Sequence, residues 1–359
     1  MCAYPTFNQM PAEVDVTIVV PCRNESRHIR NLLDSLLKQE MGDVQWEAIV
    51  ADGDSDHATQ SILSEYSERY PYFRTVPNPQ QIVSTGLNAA IRAARGKIIV
   101  RMDCHTEYAR DYVKRCLEVM QETSAANVGG PARTRTEGWT AGAIAAAYSH
   151  PFSTGGARFH DENYEGYVDT VTYGCWRKQT LEELGLFDEN LIRNQDDELN
   201  LRMTRRGMTI WQSPSIVSWY RPRGTLTSLF HQYFQYGFWK IPVIRKHRLP
   251  GSWRHLVPGF FVIANVAAVL VLLTPLRSEL PKWLLTGWLV GLLSYLLAAC
   301  AASLHAAQRR GWHLLPILPV TFMVFHISYG LGFLAGCCYW PLRPQDRKPS
   351  ASWFAGLSR

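Results

Sequence analysis

Three long stretches near the C-terminal end carry almost no charge, and they constrain the fold of this chain more than any average does. Leu256–Thr274 runs 19 residues without a charged side chain and Trp283–Leu304 runs 22; Leu314–Trp340 runs 27, with His326 its nearest approach to a charge. A helix rises about 1.5 Å per residue, so about 20 apolar residues cross a hydrocarbon core of roughly 30 Å. The first stretch is just long enough, the second fits and the third exceeds the need. Core helices of a second soluble domain are the alternative, but such helices are shorter and keep a polar face. Three membrane helices are therefore expected over residues 256–340.

Up to about Gly251 charged and apolar residues alternate in the globular manner. Met1–Val14 is polar and lacks the basic-then-apolar pattern of a signal peptide, so this half is expected to fold in the cytoplasm, tethered to the inner membrane. Arg245, Lys246, Arg248 and Arg254 crowd the entry to the first stretch, and Arg309 and Arg310 separate the second from the third, as the positive-inside rule requires. Three crossings would put Arg343, Arg347 and Lys348 on the far side. The side of the tail stays open between an interfacial or re-entrant first stretch and an exception to the rule. The net charge of +6 gathers near the membrane, which favours anionic headgroups over nucleic acid. The eight cysteines show no C-x-x-C pair and are expected as free thiols; Cys337–Cys338 are either acylated or two small apolar residues of a span. The expected division is an extension over 1–14, a catalytic domain over 15–224, an interfacial helix and basic linker over 225–255, membrane helices over 256–340 and a tail over 341–359.

Val16–Pro21 is a continuous β-branched run, the pattern of a buried parallel strand. Ile29, Leu32, Leu33, Leu36 and Leu37 then fall on one helical face. Glu47–Ala51, Phe73–Val76 and Lys97–Met102 read as further strands, with helices over Ala58–Tyr70 and Ser84–Arg95, the latter stopped by Gly96. Strands alternating with helices predict an α/β fold with a mostly parallel, doubly wound sheet. Ligands bind such sheets beyond the C-terminal strand ends. The polar clusters fall there: Pro21–Glu25 (P-C-R-N-E), Asp52–Asp56 (D-G-D-S-D) and Met102–His105 (M-D-C-H). A fourth cluster, Asn194–Arg202 (N-Q-D-D-E-L-N-L-R), opens a later helix.

In order and spacing these four motifs resemble the family 2 glycosyltransferases, with their Rossmann-like GT-A fold, over roughly residues 14–240. The membrane-tailed pattern resembles the ExoA-type enzymes of succinoglycan-like exopolysaccharide synthesis. The resemblance implies a nucleotide-sugar donor, with UDP-sugars favoured. It places Pro21, Arg23, Asn24, Glu25, Asp52, Asp54 and Asp103 around that donor, Asp52 on the base and Glu25 on the ribose side. Carboxylates suit this task because a uracil or guanine ring presents N–H donors and ribose presents hydroxyls. An acidic Gly turn between strand and helix is the plainer account of Asp52–Asp56.

The donor's diphosphate leaves with the nucleotide, and a divalent cation bridging it would stabilise that leaving group. Most of the family carries D-x-D at this point. Here Asp103-Cys104-His105 stands in its place, and the resemblance makes Asp103 and His105 the ligands of Mn²⁺ or Mg²⁺. The imidazole tilts the choice toward Mn²⁺. A surface histidine after a strand is the alternative. Gln195-Asp196-Asp197-Glu198-Leu199 resembles the family's E-D-x-(D/E)-L segment, with Gln195 replacing the usual Glu. Asp196 thereby falls on the base that takes the acceptor hydroxyl's proton during inverting attack. Acids enriched at a helix N-terminus to suit its dipole are the competing account. Gly174, Trp176 and Arg177, within Val171–Lys178, are expected with Glu198 on the acceptor side. Trp176 is read equally as a sugar-stacking platform or a buried core residue.

Leu226, Leu229, Phe230, Tyr233, Phe234 and Gly237 lie on one helical stripe, the pattern of an amphipathic helix lying on the membrane before the first span; packing against the catalytic domain is the plainer account, and the two are compatible. Gln235 and Trp239 echo the Q-x-x-R-W motif of processive synthases, but Phe238 stands where Arg belongs. Three spans also give little protein to wall a polysaccharide channel, so addition of a single sugar is expected. A soluble donor and a membrane tail together imply a membrane-borne acceptor, a polyprenyl-diphosphate-linked saccharide whose diphosphate Arg221, Arg223 and the Arg245–Arg248 cluster would attract. Two alternatives stay open: a polyprenyl-phosphate monoglycosyl synthase, and a sugar-binding scaffold subunit with a decayed site.

Overall fold

The computed structural model describes residues 13–275 and 281–342; most of the expected N-terminal extension and the basic tail residues Arg343, Arg347 and Lys348 lie outside them. Two compact units divide the chain. One is formed by residues up to Arg133 together with Asp161–Arg221, the other by Thr134–His160 together with residues from Pro222 onward.

In the first unit, the strands β1 (Val16–Cys22), β2 (Trp46–Asp52), β3 (Phe73–Pro77) and β4 (Ile98–Arg101) pair in parallel in the order β3-β2-β1-β4. Helices α1 (Ile29–Leu37), α2 (His57–Arg69) and α3 (Val83–Ala93) connect them. Side chains alternate across a strand. Val16, Ile18 and Val20 therefore enter one core with α1 residues Ile29, Leu32, Leu33 and Leu36, while Val19 enters a second core with α3 residues Leu87, Ala90 and Ile91. Each such side chain contributes roughly 1.5–3 kcal/mol on burial, which fixes the register that brings the ends of β1 and β2 level at Cys22 and Asp52.

Beyond β4 follow β5 (Thr106–Tyr108), α4 (Tyr112–Thr123), β6 (Asn127–Gly130) and β7 (Arg133–Thr134). After α5 (Trp139–Tyr148) and α6 (Pro151–Thr154) come β8 (Gly166–Tyr167), β9 (Thr172–Arg177), α7 (Lys178–Leu184), α8 (Gln195–Arg205), β10 (Ile210–Gln212) and β11 (Ser218–Tyr220). The large sheet runs β3-β2-β1-β4-β9-β6-β10-β8, and β9 is antiparallel to both neighbours. A smaller sheet has the order β5-β11-β7. The architecture is thus the α/β, mostly parallel sheet expected, followed by three long apolar helices.

The second unit contains those helices, Val257–Leu272, Lys282–Arg310 and Leu318–Tyr339, together with α5, α6 and α9 (Leu226–His247). With the short turns beside them, all three are long and apolar enough to cross a membrane. Large apolar side chains such as Phe260, Leu293 and Leu297 point outward from them, an arrangement that suits lipid better than water. The striped helix α9 packs lengthwise on Leu318–Tyr339: a Cβ at Gly237, Gly332 or Gly336 would overlap backbone of the facing helix. Its stripe is thus engaged by protein. A core of Ala143, Ile144, Ala147, Leu229, Leu314, Leu318, Phe322 and Phe325 joins α5, α9 and the last helix. The described cysteines are all free.

Candidate active site

Four segments meet at the C-terminal ends of the parallel strands, and their side chains are locked to one another. Asn24 follows β1 in the left-handed region, at a φ of 54°. Its backbone N–H donates to Ser55 Oγ at 2.9 Å, and its side-chain oxygen accepts from the Asp56 N–H at 2.8 Å. These bonds join the loop after β1 to the loop after β2. There Asp52 accepts from the Ser55 N–H at 3.2 Å, and Asp54, also left-handed, accepts from Gln81 at 3.3 Å. The Pro21 carbonyl accepts weakly from the Cys104 thiol. Arg23 lies over Gly53, where a Cβ would press on it. Its Nε is buried with no hydrogen-bond partner among the described residues, so the loop after β1 keeps an unspent N–H.

At the end of β4 the arrangement turns on a residue that sequence reasoning missed. Arg101 is only 5% exposed. Its Nε and Nη2 donate to the two oxygens of Asp103, each at 2.9 Å, and its Nη1 donates to Asp196 Oδ1 at 2.5 Å. One guanidinium thus ties the M-D-C-H turn to the first turn of α8. Paired forks of this kind are the strong class of charge-assisted bond. Desolvation pushes the Asp196 carboxyl above the usual carboxylate range; Arg101 opposes that rise and Asp103 adds to it. Asp196 nevertheless keeps 39% of its side chain open to solvent, so it can still reach a hydroxyl.

Tyr173 completes this corner. It adopts a φ of 63°, uncommon for an aromatic residue, bonds its hydroxyl to Thr106, and lies with its ring 6.0 Å from the Arg101 guanidinium carbon. Strained backbone tends to be kept where a site needs it.

His105 and Glu25 form a third grouping, with Nε2 and Oε2 3.1 Å apart. The His28 ring stands beside them, its centroid 4.7 Å from that of His105. One ligating atom from each of Glu25, His28 and His105 lies within 4.8 Å of the others. Burial lowers the His28 imidazole pKa from its ordinary value, with the charge of His105 adding to this. His28 was the second residue missed, because at the start of an amphipathic helix it reads as a surface position.

Three expected acceptor-side residues lie elsewhere. Arg177 pairs with Ile98, the first residue of β4, because β9 is antiparallel and runs away from the site; its guanidinium donates to the Ala125 carbonyl. Trp176 is 2% exposed and packs edge-on against Phe187, so of its two readings the structure has the core one. Glu198 is fully buried and accepts from Arg202, which also holds the Leu184 and Leu186 carbonyls. Gly174, with a φ of 101°, lets the chain pass the Trp176 ring, which a Cβ there would overlap.

Residues 17–184 match the family model described as "Glycosyl transferase family 2". The succinoglycan biosynthesis protein ExoA of Rhizobium meliloti is 27% identical over 88% of this chain and 93% of its own. A dolichyl N-acetyl-alpha-D-glucosaminyl phosphate 3-beta-D-2,3-diacetamido-2,3-dideoxy-beta-D-glucuronosyltransferase of Methanococcus voltae is 24% identical over 89% of this chain and 96% of its own. Among solved structures, a mannosyltransferase of Pyrobaculum calidifontis in complex with GDP-Man and Mn²⁺ shares the fold at a TM-score of 0.59, covering 92% of this chain and 88% of that one at 18% identity. With its motifs on the strand ends and relatives matching over nearly their whole length, the chain carries a family 2 glycosyltransferase domain over residues 17–184.

Proposed function

We propose that the enzyme transfers a single sugar, with inversion, from a nucleotide-sugar donor to a saccharide carried on a membrane-held polyprenyl phosphate or diphosphate. The observation that carries this reading is the Arg101 bridge between Asp103 and Asp196. It sets the turn that faces the donor and the carboxylate suited to deprotonate an acceptor hydroxyl at a fixed spacing. Asp196, raised by desolvation against the opposing charge of Arg101, is a better proton acceptor than an ordinary aspartate. Asp52 accepts from the base and Glu25 from the ribose side, while the buried Arg23 Nε–H offers a donor to the diphosphate.

A divalent cation, when bound, neutralises the charge gathering on the leaving diphosphate; the fold relative from Pyrobaculum calidifontis was solved with Mn²⁺. The carboxylate and imidazole groups at the ends of β1 and β4 are donors of the right kind. The membrane acceptor is supported by the three apolar helices and by the activity for which the Methanococcus voltae relative is named, which involves a dolichyl-linked sugar. A place in exopolysaccharide or surface-glycan synthesis is supported by the likeness to ExoA. The catalytic unit is assigned to the cytoplasmic face, where nucleotide sugars are made.

The test is nucleotide release by detergent-purified protein from a panel of UDP- and GDP-sugars, with membrane-lipid extract as acceptor and Mn²⁺, Mg²⁺ or EDTA. Release from one donor is expected to need metal and to fall by about 10²–10⁴ in Asp196→Asn, with donor binding retained. Unchanged release in Asp196→Asn would remove Asp196 as the base. A product with one sugar on bare lipid phosphate would identify a monoglycosyl synthase instead.

A further inference from the structure

We infer that the cation site of this enzyme is built from Glu25, His28 and His105, one Glu25 oxygen serving the cation and the other left to the ribose, and that Asp103 serves to hold Arg101 rather than to ligate metal. The inference rests on the transferase reading above and specifies the cation's ligands within it.

The three groups come from the loop ends of two neighbouring strands. Glu25 and His28 follow β1, His105 follows β4, and β1 and β4 are paired in the sheet. The His28 and Ile29 N–H groups both donate to the Glu25 carbonyl, at 2.9 and 2.8 Å. This closes a tight turn between Glu25 and His28, and positions three apart in a helical turn share a face. His105 approaches from the opposite loop, 3.1 Å from the Glu25 carboxylate, and the three ligating atoms lie within 4.8 Å of one another. An ion pair between Glu25 and His105 would need only two of them. The second imidazole converts a pair into a ligand set of two nitrogens and one oxygen, a combination that leaves coordination positions for a substrate.

Asp103 is differently engaged. Both of its oxygens accept from Arg101, whose remaining arm holds Asp196. A divalent ion on Asp103 would stand against a buried guanidinium and compete for the same carboxylate. Two imidazoles beside one carboxylate also select among ions. They suit Mn²⁺, Co²⁺ or Zn²⁺, whereas Mg²⁺ prefers oxygen ligands and keeps its waters.

The experiment titrates MnCl₂ into the full-length protein in detergent, alone and with UDP or GDP, following loss of the free-ion signal by electron paramagnetic resonance. His28→Gln is expected to weaken Mn²⁺ binding by about tenfold or more, and Asp103→Asn to change it by less than about threefold. In the wild type, pulsed measurements are expected to show two imidazole nitrogens coupled to the bound ion, a readout that stands even where a variant fails to fold. No Mn²⁺ binding in either titration, one nitrogen coupling, or a loss in Asp103→Asn exceeding that in His28→Gln would overturn the assignment. Nucleotide release from the same preparations separates the two readings. Metal-dependent turnover with a single coupled nitrogen would sink the ligand set and keep the transferase. Two coupled nitrogens without turnover on any donor would do the reverse.

Discussion

Arg101 bears on the protonation of Asp196, the residue proposed to accept the acceptor's proton. Desolvation raises the Asp196 carboxyl and the Arg101 charge lowers it. Removing that charge in Arg101→Met lets the carboxyl rise further, so Asp196 loses its ionised, basic form at a higher pH than in the wild type. The acid limb of the kcat/KM profile is expected to move up in Arg101→Met. Arg101→Lys keeps the charge but not the planar fork; its acid limb should stay near that of the wild type while turnover falls on the order of 10²-fold through misplacement of the two carboxylates. A profile recorded between about pH 5 and 9 checks both. Identical limbs in all three proteins would show that Asp196 does not titrate in the rate. The placement of Asp103, Asp196, Glu25 and Asp52 was legible in the sequence, because each stands where a strand ends or a helix begins, and acids there stand out from apolar runs. Arg101 was not, because within Lys97–Met102 it reads as one more strand residue; only its burial beside two carboxylates sets it apart. Arg177 was misassigned for a different reason: period-two patterning does not encode strand direction, and the antiparallel course of β9 carries Arg177 to the wrong edge.

At the level of elements, the three apolar helices were legible from length and charge alone, whereas the engagement of α9 was not. A stripe of apolar residues has the same pattern whether it faces lipid or protein. What decides the matter is the glycines. Gly237 on α9 and Gly332 and Gly336 on Leu318–Tyr339 let the two backbones touch, and Gly330 does the same against Val257–Leu272. Gly291, on Lys282–Arg310, has nothing near the place of a Cβ. Gly332→Val forces a branched side chain against the Phe234 carbonyl and is expected to lower stability in detergent by at least about 2 kcal/mol. Gly291→Ala fills open space and regains helix propensity, so its effect should stay within about 1 kcal/mol and be stabilising. Thermal unfolding of both variants in one detergent measures the contrast. Equal melting temperatures would mean that α9 and the last helix are not held backbone to backbone.

On the scale of the whole chain, the units do not follow the linear order that the sequence patterns imply. The sequence patterns predict a catalytic domain running unbroken through residues 15–224, yet Thr134–His160 belongs to the unit of the apolar helices. This segment gives no signal at the sequence level, since a short alanine-rich helix such as α5 looks like any core element. Its partners are distant in sequence: Ala143, Ile144 and Ala147 are buried with Leu314, Leu318, Phe322 and Phe325, and the Trp139 indole donates to the His313 carbonyl at 2.7 Å. The chain leaves and re-enters the first unit at nearly one point, where an Arg133 guanidinium nitrogen donates to the Glu162 carbonyl at 3.2 Å. Cutting the chain after residue 224 removes the apolar helices but leaves this insert behind, with its buried face turned to water. That truncation is therefore expected to aggregate. Replacing residues 135–159 with a short Gly/Ser linker in the same truncation removes the stranded surface, and the adjacent ends allow such a linker to close at little entropic cost. The protein carrying both changes is expected to elute as a monomer on size exclusion and to bind nucleotide. A monomeric, well-folded truncation that still carries the insert would show that residues 134–160 do not depend on the apolar helices for their burial.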